Sequence, residues 1–268
     1  MSKEFPAVTM GVTIRCPSTV DHPYKKIKLV IPTQENKNSV LLTKRSGLCC
    51  VHNKETNKVE KLFSKSYERI FQHELLMNLI IKTSIQRDDL FLTSSGFDAE
   101  NLCILFDYTE LNTLSKFIVQ QDIEYGTKIK LWNSLVEAVV ILHENDIIHG
   151  DLHPDNIMID TTKWVCKLLD FGNSGYKTNK NRIGSWIYQP HPSPDYLSKS
   201  LDIWSLGILY IYIFHHEGFK QILKQPNDRQ HETFRLDGWV SNNIPAEIKS
   251  CVLLDESKRT NCVSLLFI

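Results

Sequence analysis

Three features that often place a chain in the cell are missing here: net charge, cysteine spacing and a long apolar run. Thirty-one basic and 31 acidic side chains among 268 residues cancel to a formal charge of zero. A phosphate-binding surface usually shows as a basic excess or stripe, so no nucleic-acid partner is expected. The longest nearly unbroken apolar run, residues 203–214, is interrupted by Ser205 and Gly207. A bilayer crossing needs about 20 residues, so no membrane partner is expected either. The seven cysteines form no CxxC pair, and only Cys49 and Cys50 lie close together, which excludes zinc-ribbon spacing and a disulfide framework. No Asn-x-Ser/Thr sequon occurs, and the opening MSKEFPAVTM lacks the apolar core of a secretory signal. These absences point to an intracellular, cytoplasmic setting with nuclear access open, and to cysteines acting as small apolar fillers.

No repeat or low-complexity tract is present. With 42% apolar and 23% charged residues, the composition is that of a globular protein. The length fits one large domain or two lobes sharing a cleft. Residues 8–15, 26–31, 39–45, 48–52 and 58–63 are β-prone runs divided by turn-like segments such as PTQENKN and NKETN. Residues 68–82 switch to helical periodicity, with Ile70, Phe71, Leu75, Leu76, Leu79 and Ile80 on one broad face. A strand pair is expected at 90–92 and 102–108. Helices follow at 112–120 and 126–144, the second burying Ile129, Trp132, Leu135, Val139, Val140 and Leu142. Residues 201–214 are apolar nearly all round, which predicts a buried central helix. Strands in front and helices behind give an α+β class with two lobes, the seam lying near 108–111.

The chemistry concentrates in IIHGDLHPDNIMID, residues 147–160, and KLLDFGNSG, residues 167–175. Each places acidic or amide side chains on a loop beside a short apolar strand. Phosphoryl transfer needs this set: one carboxylate to orient the attacking hydroxyl, and oxygen ligands to hold magnesium on nucleotide phosphates. The competing reading is that these Asp and Asn residues merely cap surface turns.

On these motifs the chain resembles the eukaryotic-type protein kinase family. His149-Gly150-Asp151-Leu152 through Asn156 matches the family's catalytic loop, and Asp170-Phe171-Gly172 its magnesium motif. Asp202-Ile203-Trp204-Ser205-Leu206-Gly207 resembles the start of its central helix, Gly184–Tyr188 the end of its activation segment, and Arg259 its last motif. The resemblance implies a bilobal fold: an N-terminal extension at 1–38 packed on or part of the first lobe, an N-lobe and hinge at 39–109, and a C-lobe at 110–268. It implies ATP and Mg2+ as cofactors, a protein substrate, transfer to serine or threonine, and room for a regulatory protein partner. Asp151 would be catalytic, with Asn156 and Asp170 as metal ligands. Lys61 would hold the α/β-phosphates, oriented by Glu74, with Glu68 the lesser candidate. Alternatively, Lys61 is one solvated lysine among Lys58, Lys61 and Lys65. Phe106 would stand at the back of the adenine pocket, with backbone groups of Asp107 and Thr109 on the base.

Glycine is scarce where the family uses it most. Leu42-Thr43-Lys44-Arg45-Ser46-Gly47-Leu48 carries one glycine where the phosphate-covering loop has three. Lys44 and Arg45 either compensate by charge or form a solvated turn. Gly150 stands where an arginine commonly reads a phosphorylated activation loop, so a constitutively set loop is expected. Ser174, Tyr176 and Thr178 are candidate phosphosites. His153 replaces a lysine and would contact the transferring phosphate or Ser185. The Ala-Pro-Glu tripeptide is replaced by Pro190-His191-Pro192, which leaves Arg259 to find another partner or stay exposed. Two rivals remain: a pseudokinase acting as scaffold or decoy, and a small-molecule phosphotransferase of the aminoglycoside type, suggested by His-Gly-Asp-Leu-His-Pro. The small size leaves little room for further domains and suits a kinase carried by a virus or intracellular pathogen.

Overall fold

A computed structural model describes residues 38–120, 122–177, 188–190, 195–223 and 244–266. The expected strands at 8–15 and 26–31, nearly all of the 1–38 extension, Thr178, residues 184–187, His191 and Pro192 lie outside the described residues.

The first lobe is an antiparallel sheet in the order β1-β2-β3-β5-β4. Its strands are β1 (Ser39–Arg45), β2 (Leu48–Asn53), β3 (Lys58–Phe63), β4 (Gly96–Asp98) and β5 (Cys103–Asp107). Alternation along β3 decides what faces the cleft. Lys61 stands opposite Cys50 and Ile104, and Val59 opposite Phe106, so these side chains share one face. Helix α1 (Glu68–Ser84) packs against that face through Phe71, within a small core of Phe63, Leu102, Ile104 and Phe106.

The second lobe is helical: α2 (Leu114–Gln120), α3 (Tyr125–Glu144), α4 (Lys199–Phe214), α5 (His216–Leu223) and α6 (Ala246–Cys251). A small sheet of β6 (Asn112–Thr113), β7 (Ile157–Asp160) and β8 (Val165–Leu168) lies at the cleft. α4 buries every residue from Leu201 to Ile213, and its apolar side chains join Trp132, Leu135, Val139 and Leu142 of α3 in the main core. Each such fully buried Leu, Ile or Phe contributes roughly 1.5–3 kcal/mol, which anchors the loops that α4 and β7 carry.

Four expectations change. The buried face of α1 is Phe71, Glu74, Met77, Asn78 and Ile81, while Leu76 is 54% exposed. The helix is turned toward two polar residues because both find partners inside. Residues 90–92 form no strand with 102–108; β4 pairs with β5 instead, and Phe91 makes a single parallel bridge to Leu168. Leu90 and Phe91 thereby join the second lobe's core. α2 starts at Leu114 because Asn112 and Thr113 pair with Ile159 and Met158. Ile129 is half-buried on α3.

Candidate active site

Lys61 is 7% exposed and Glu74 1%. Lys61 Nζ donates to Glu74 Oε1 at 2.6 Å and to Asp170 Oδ1 at 2.9 Å, tying β3, α1 and the loop after β8 into one ionic triad. Lys61 is therefore not one solvated lysine among three: Lys58 pairs with Asp107, and Lys65 with Glu68, which removes Glu68 as its partner. Burial opposes the Lys61 charge, but Glu74 and Asp170 together outweigh it and hold the ammonium well above its ordinary value. One cation between two carboxylates leaves a negative charge over. Burial drives the Glu74 carboxyl up to about 7, against the pull of Lys61. Burial likewise opposes the Asp170 charge, yet Lys61 and the Gly172 N–H keep this carboxyl below its usual range. Asn78 completes the α1 side: its amide donates to Glu74 O at 2.9 Å and its carbonyl accepts the Ser94 N–H.

On the other lobe, His149–Asn156 forms a loop closed on itself and on its neighbour. Asn156 Nδ2 donates to Asp151 O at 2.9 Å, and Asn173 Nδ2 donates to Asp151 Oδ2 at 3.1 Å. His153 accepts the Asp155 N–H at Nδ1, while its Nε2 lies 3.9 Å from Asp151 Oδ2. Burial, only partly offset by Asp151 and Asp155, lowers the His153 pKa. Ser115 donates to the Asp155 carboxylate.

Underneath, Asp202 at the start of α4 accepts the N–H groups of His149 (2.8 Å) and Gly150 (2.9 Å). His143 Nε2 donates to the same carboxylate at 2.9 Å, and Cys262 Sγ lies 3.3 Å from His143 Nδ1. Burial opposes the His143 charge, but Asp202 and Cys262 hold it up, at about 9. The sequence names Asp202 only as part of a helix-start motif, and His143 and Cys262 carry no motif signal. The nearest clue is one His near the end of one largely apolar helix and one Asp near the start of another.

Gly150 has φ +76°, and a Cβ there would meet Asn173 O at 2.8 Å and Leu197 Cδ2 at 2.9 Å. The missing arginine is thus more than a lost cation: the backbone after Asp170 occupies the space. Ser174 is fully buried, with its hydroxyl donated to His149 O at 3.0 Å, so it is not an accessible phosphosite. Tyr176 is 40% exposed. Arg259 does find other partners. It donates to the carbonyls of Leu253, Leu254 and Ser200 and lies 5.2 Å from the Trp204 ring centre. The six described cysteines are free, and only Cys50, on the cleft face of β2, is not buried.

The donor set suits magnesium. Asp170 Oδ1 takes Lys61 and the Gly172 N–H, so Oδ2 is left without a described partner. Asn156 spends its amide N–H on Asp151 O, which leaves its carbonyl oxygen as an acceptor. Two hard oxygens from the protein, completed by phosphates and water, are what this ion takes from a nucleotide site. Among the described residues no cluster of three His, Cys, Asp or Glu could hold a metal.

At the hinge, Phe106 is 9% exposed beside Val59, and Asp107 is held by Lys58. Tyr108 stacks on His52 with ring centres 3.5 Å apart, and its N–H donates to Asn57 O. The phosphate-cover position is a two-residue turn. Arg45 pairs with Leu48, and Gly47 at φ +74° lies so close to Tyr67 that a Cβ would fall 2.4 Å from the ring. Its glycine thus serves the turn and this close approach. Lys44 and Arg45 are exposed.

A bilobal fold with a β3 lysine bridged to a helical glutamate, facing two loops of Asp and Asn, defines a phosphotransferase scaffold of the kinase type. Comparison with known sequences names the family: the protein kinase domain pattern matches residues 48–266, and the chain belongs to that family. Similar proteins include the "Probable serine/threonine-protein kinase gdt8" of Dictyostelium discoideum, 27% identical over 73% of this chain and 16% of that protein. Two others are max-2 of Caenorhabditis elegans, 24% identical over 66% of this chain and 29% of its own length, and PAK mbt of Drosophila melanogaster, 22% identical over 82% and 36%. The chain therefore spans about a third or less of these relatives. No described helix is long and apolar enough to cross a membrane.

Proposed function

We propose that this chain transfers the γ-phosphoryl group of ATP to serine or threonine hydroxyls of a protein substrate. The observation that carries the reading is the assembled triad of Lys61, Glu74 and Asp170 beside a fixed Asp151. A scaffold without chemistry has no need to bury a cation between two carboxylates. ATP supplies the transferred group, and magnesium screens its phosphate charge. In this reading Lys61, oriented by Glu74, holds the α/β-phosphates, and Asp170 and Asn156 hold the metal. Asp151 accepts and aligns the substrate hydroxyl, with His153 beside it as a hydrogen-bond donor to the phosphoryl group. Phe106 limits the depth of the adenine pocket, and backbone groups of Asp107 and Thr109 read the base edge. Selection of the protein substrate falls to the second lobe's surface or to a regulatory partner.

The test is incubation of the full chain with magnesium and γ-labelled ATP, offered a serine/threonine peptide library and, separately, aminoglycoside and choline acceptors. Label on serine or threonine that disappears in Asp151→Asn and Asp170→Asn supports the proposal. Label on small acceptors alone, or none with no ATP-induced thermal shift, overturns it.

A further inference from the structure

Gly150 removes the cation that would hold a phosphorylated loop, yet the site is assembled. The residues just after Asp170 account for this. Because Gly150 has no side chain, the Asn173 carbonyl can lie against the catalytic loop. From there Ser174 reaches in two directions. His73, on α1 next to Glu74, places Nε2 2.7 Å from Ser174 O. A carbonyl only accepts, so this nitrogen carries the proton. On the other side the Ser174 hydroxyl donates to His149 O at 3.0 Å. Gly175 and Ile148 then exchange backbone hydrogen bonds of 2.8 and 2.9 Å, and Asn173 holds the Asp151 carboxylate. Ser174 is fully buried, so water does not compete for its hydroxyl bond to His149, while the His73 bond is part-buried.

We infer that His73 and Ser174 are positioning residues, a clasp joining α1, the segment after Asp170 and the catalytic loop, so that the site stays assembled without phosphate on the downstream segment. The inference rests on the kinase reading for its kinetic consequences, but the clasp itself is a structural statement. His73 carries Glu74's helix, and Ser174 is four residues from Asp170 and bonded two residues from Asp151. Loosening it should separate Glu74 from Lys61 and shift Asp151 at once.

Two measurements on the full chain test this. In the first, phosphoryl transfer is followed before and after exhaustive phosphatase treatment, for wild type, His73→Leu and His73→Gln. Treated wild type should keep its rate within about twofold. His73→Leu should lose about tenfold or more in kcat/KM for ATP, the scale of one part-buried hydrogen bond and its dependent geometry. His73→Gln, which offers an amide N–H to the same carbonyl, should recover most of that loss. In the second, amide hydrogen exchange is read at Ile148, Ser174 and Gly175. Protection should survive phosphatase treatment and fall about tenfold or more in Ser174→Ala and His73→Leu. Activity lost on phosphatase treatment overturns the clasp, as does an unaffected His73→Leu, a His73→Gln no better than His73→Leu, or exchange unchanged by either substitution. If wild type transfers no phosphate while the exchange pattern holds, the kinase reading fails and the clasp stands.

Discussion

Below the cleft, Asn156 and Asn173 bond to Asp151, and Asp202 accepts the His149 and Gly150 N–H groups of the same loop while pairing with His143; Asp170 is tied across to Lys61. Above it, the β1–β2 turn contributes two residues, flanked by exposed Lys44 and Arg45. The contrast separates two jobs that the glycine-rich loop and the catalytic loop perform in sequence motifs of equal prominence. Charge placement tolerates little movement, since a carboxylate displaced by an ångström no longer aligns a hydroxyl. Covering phosphates is a matter of exclusion and affinity, which a shorter turn can supply weakly. The lower region should therefore fail abruptly under substitution, and the upper region gradually.

The largest expected effect is on the chemistry. Asp151→Asn keeps the shape and a carbonyl to accept the Asn173 amide, but removes the carboxylate proposed as the base. A fall of about 10^3-fold in kcat with an unchanged thermal midpoint is expected. A loss under tenfold would mean that Asp151 does not receive the proton. Next comes the buried anchor. Asp202→Ala leaves the His149 and Gly150 N–H groups and the His143 imidazole without their acceptor, at a cost of about 3–5 kcal/mol by chemical denaturation. A change under about 1 kcal/mol would show that the loop is held from elsewhere.

These two substitutions also mark the limit of what the sequence tells. Asp151, Asn156 and Asp170 stood out because their spacing puts them on two loops beside short strands, where the structure also places them. Strands β1 and β3 were legible to the residue because alternation and turn chemistry agree there. The face of α1 was misread because hydrophobic periodicity counts Leu76 as core and cannot credit Glu74 and Asn78, whose burial depends on Lys61 and on the Ser94 N–H outside the helix. His143 and Cys262 were invisible for the same reason: 119 residues separate them, and no local pattern registers a long-range polar contact. Residues 90–92 look like a strand in isolation, but the partner they choose is Leu168.

The His143–Asp202 pair gives a pH-dependent form of the comparison. Its folded pKa of about 9 exceeds the ordinary value of 6.5, so the stability it contributes is fully present below about 6.5 and is lost as pH rises through 9. A shift of this size corresponds to roughly 3 kcal/mol. The thermal midpoint of wild type should exceed that of His143→Gln most at pH 6, and the gap should narrow by pH 9.5. A gap that stays level or widens would mean the imidazole is neutral.

The upper region supplies the smallest effects. Gly47→Ala should cost about 1–2 kcal/mol, because an alanine at φ +74° is strained and its methyl displaces the Tyr67 ring. Lys44→Ala with Arg45→Ala removes two exposed cations and should move the thermal midpoint by less than about 2 °C. Its informative readout is the KM for ATP at low and high salt. If the pair compensates for the missing glycines by charge, KM rises several-fold at low salt and the difference vanishes as screening shortens to about 3 Å at 1 M. If the turn is merely solvated, KM does not change at either ionic strength. The phosphates are then gripped without the turn, by Lys61 and the metal that Asp170 and Asn156 would hold.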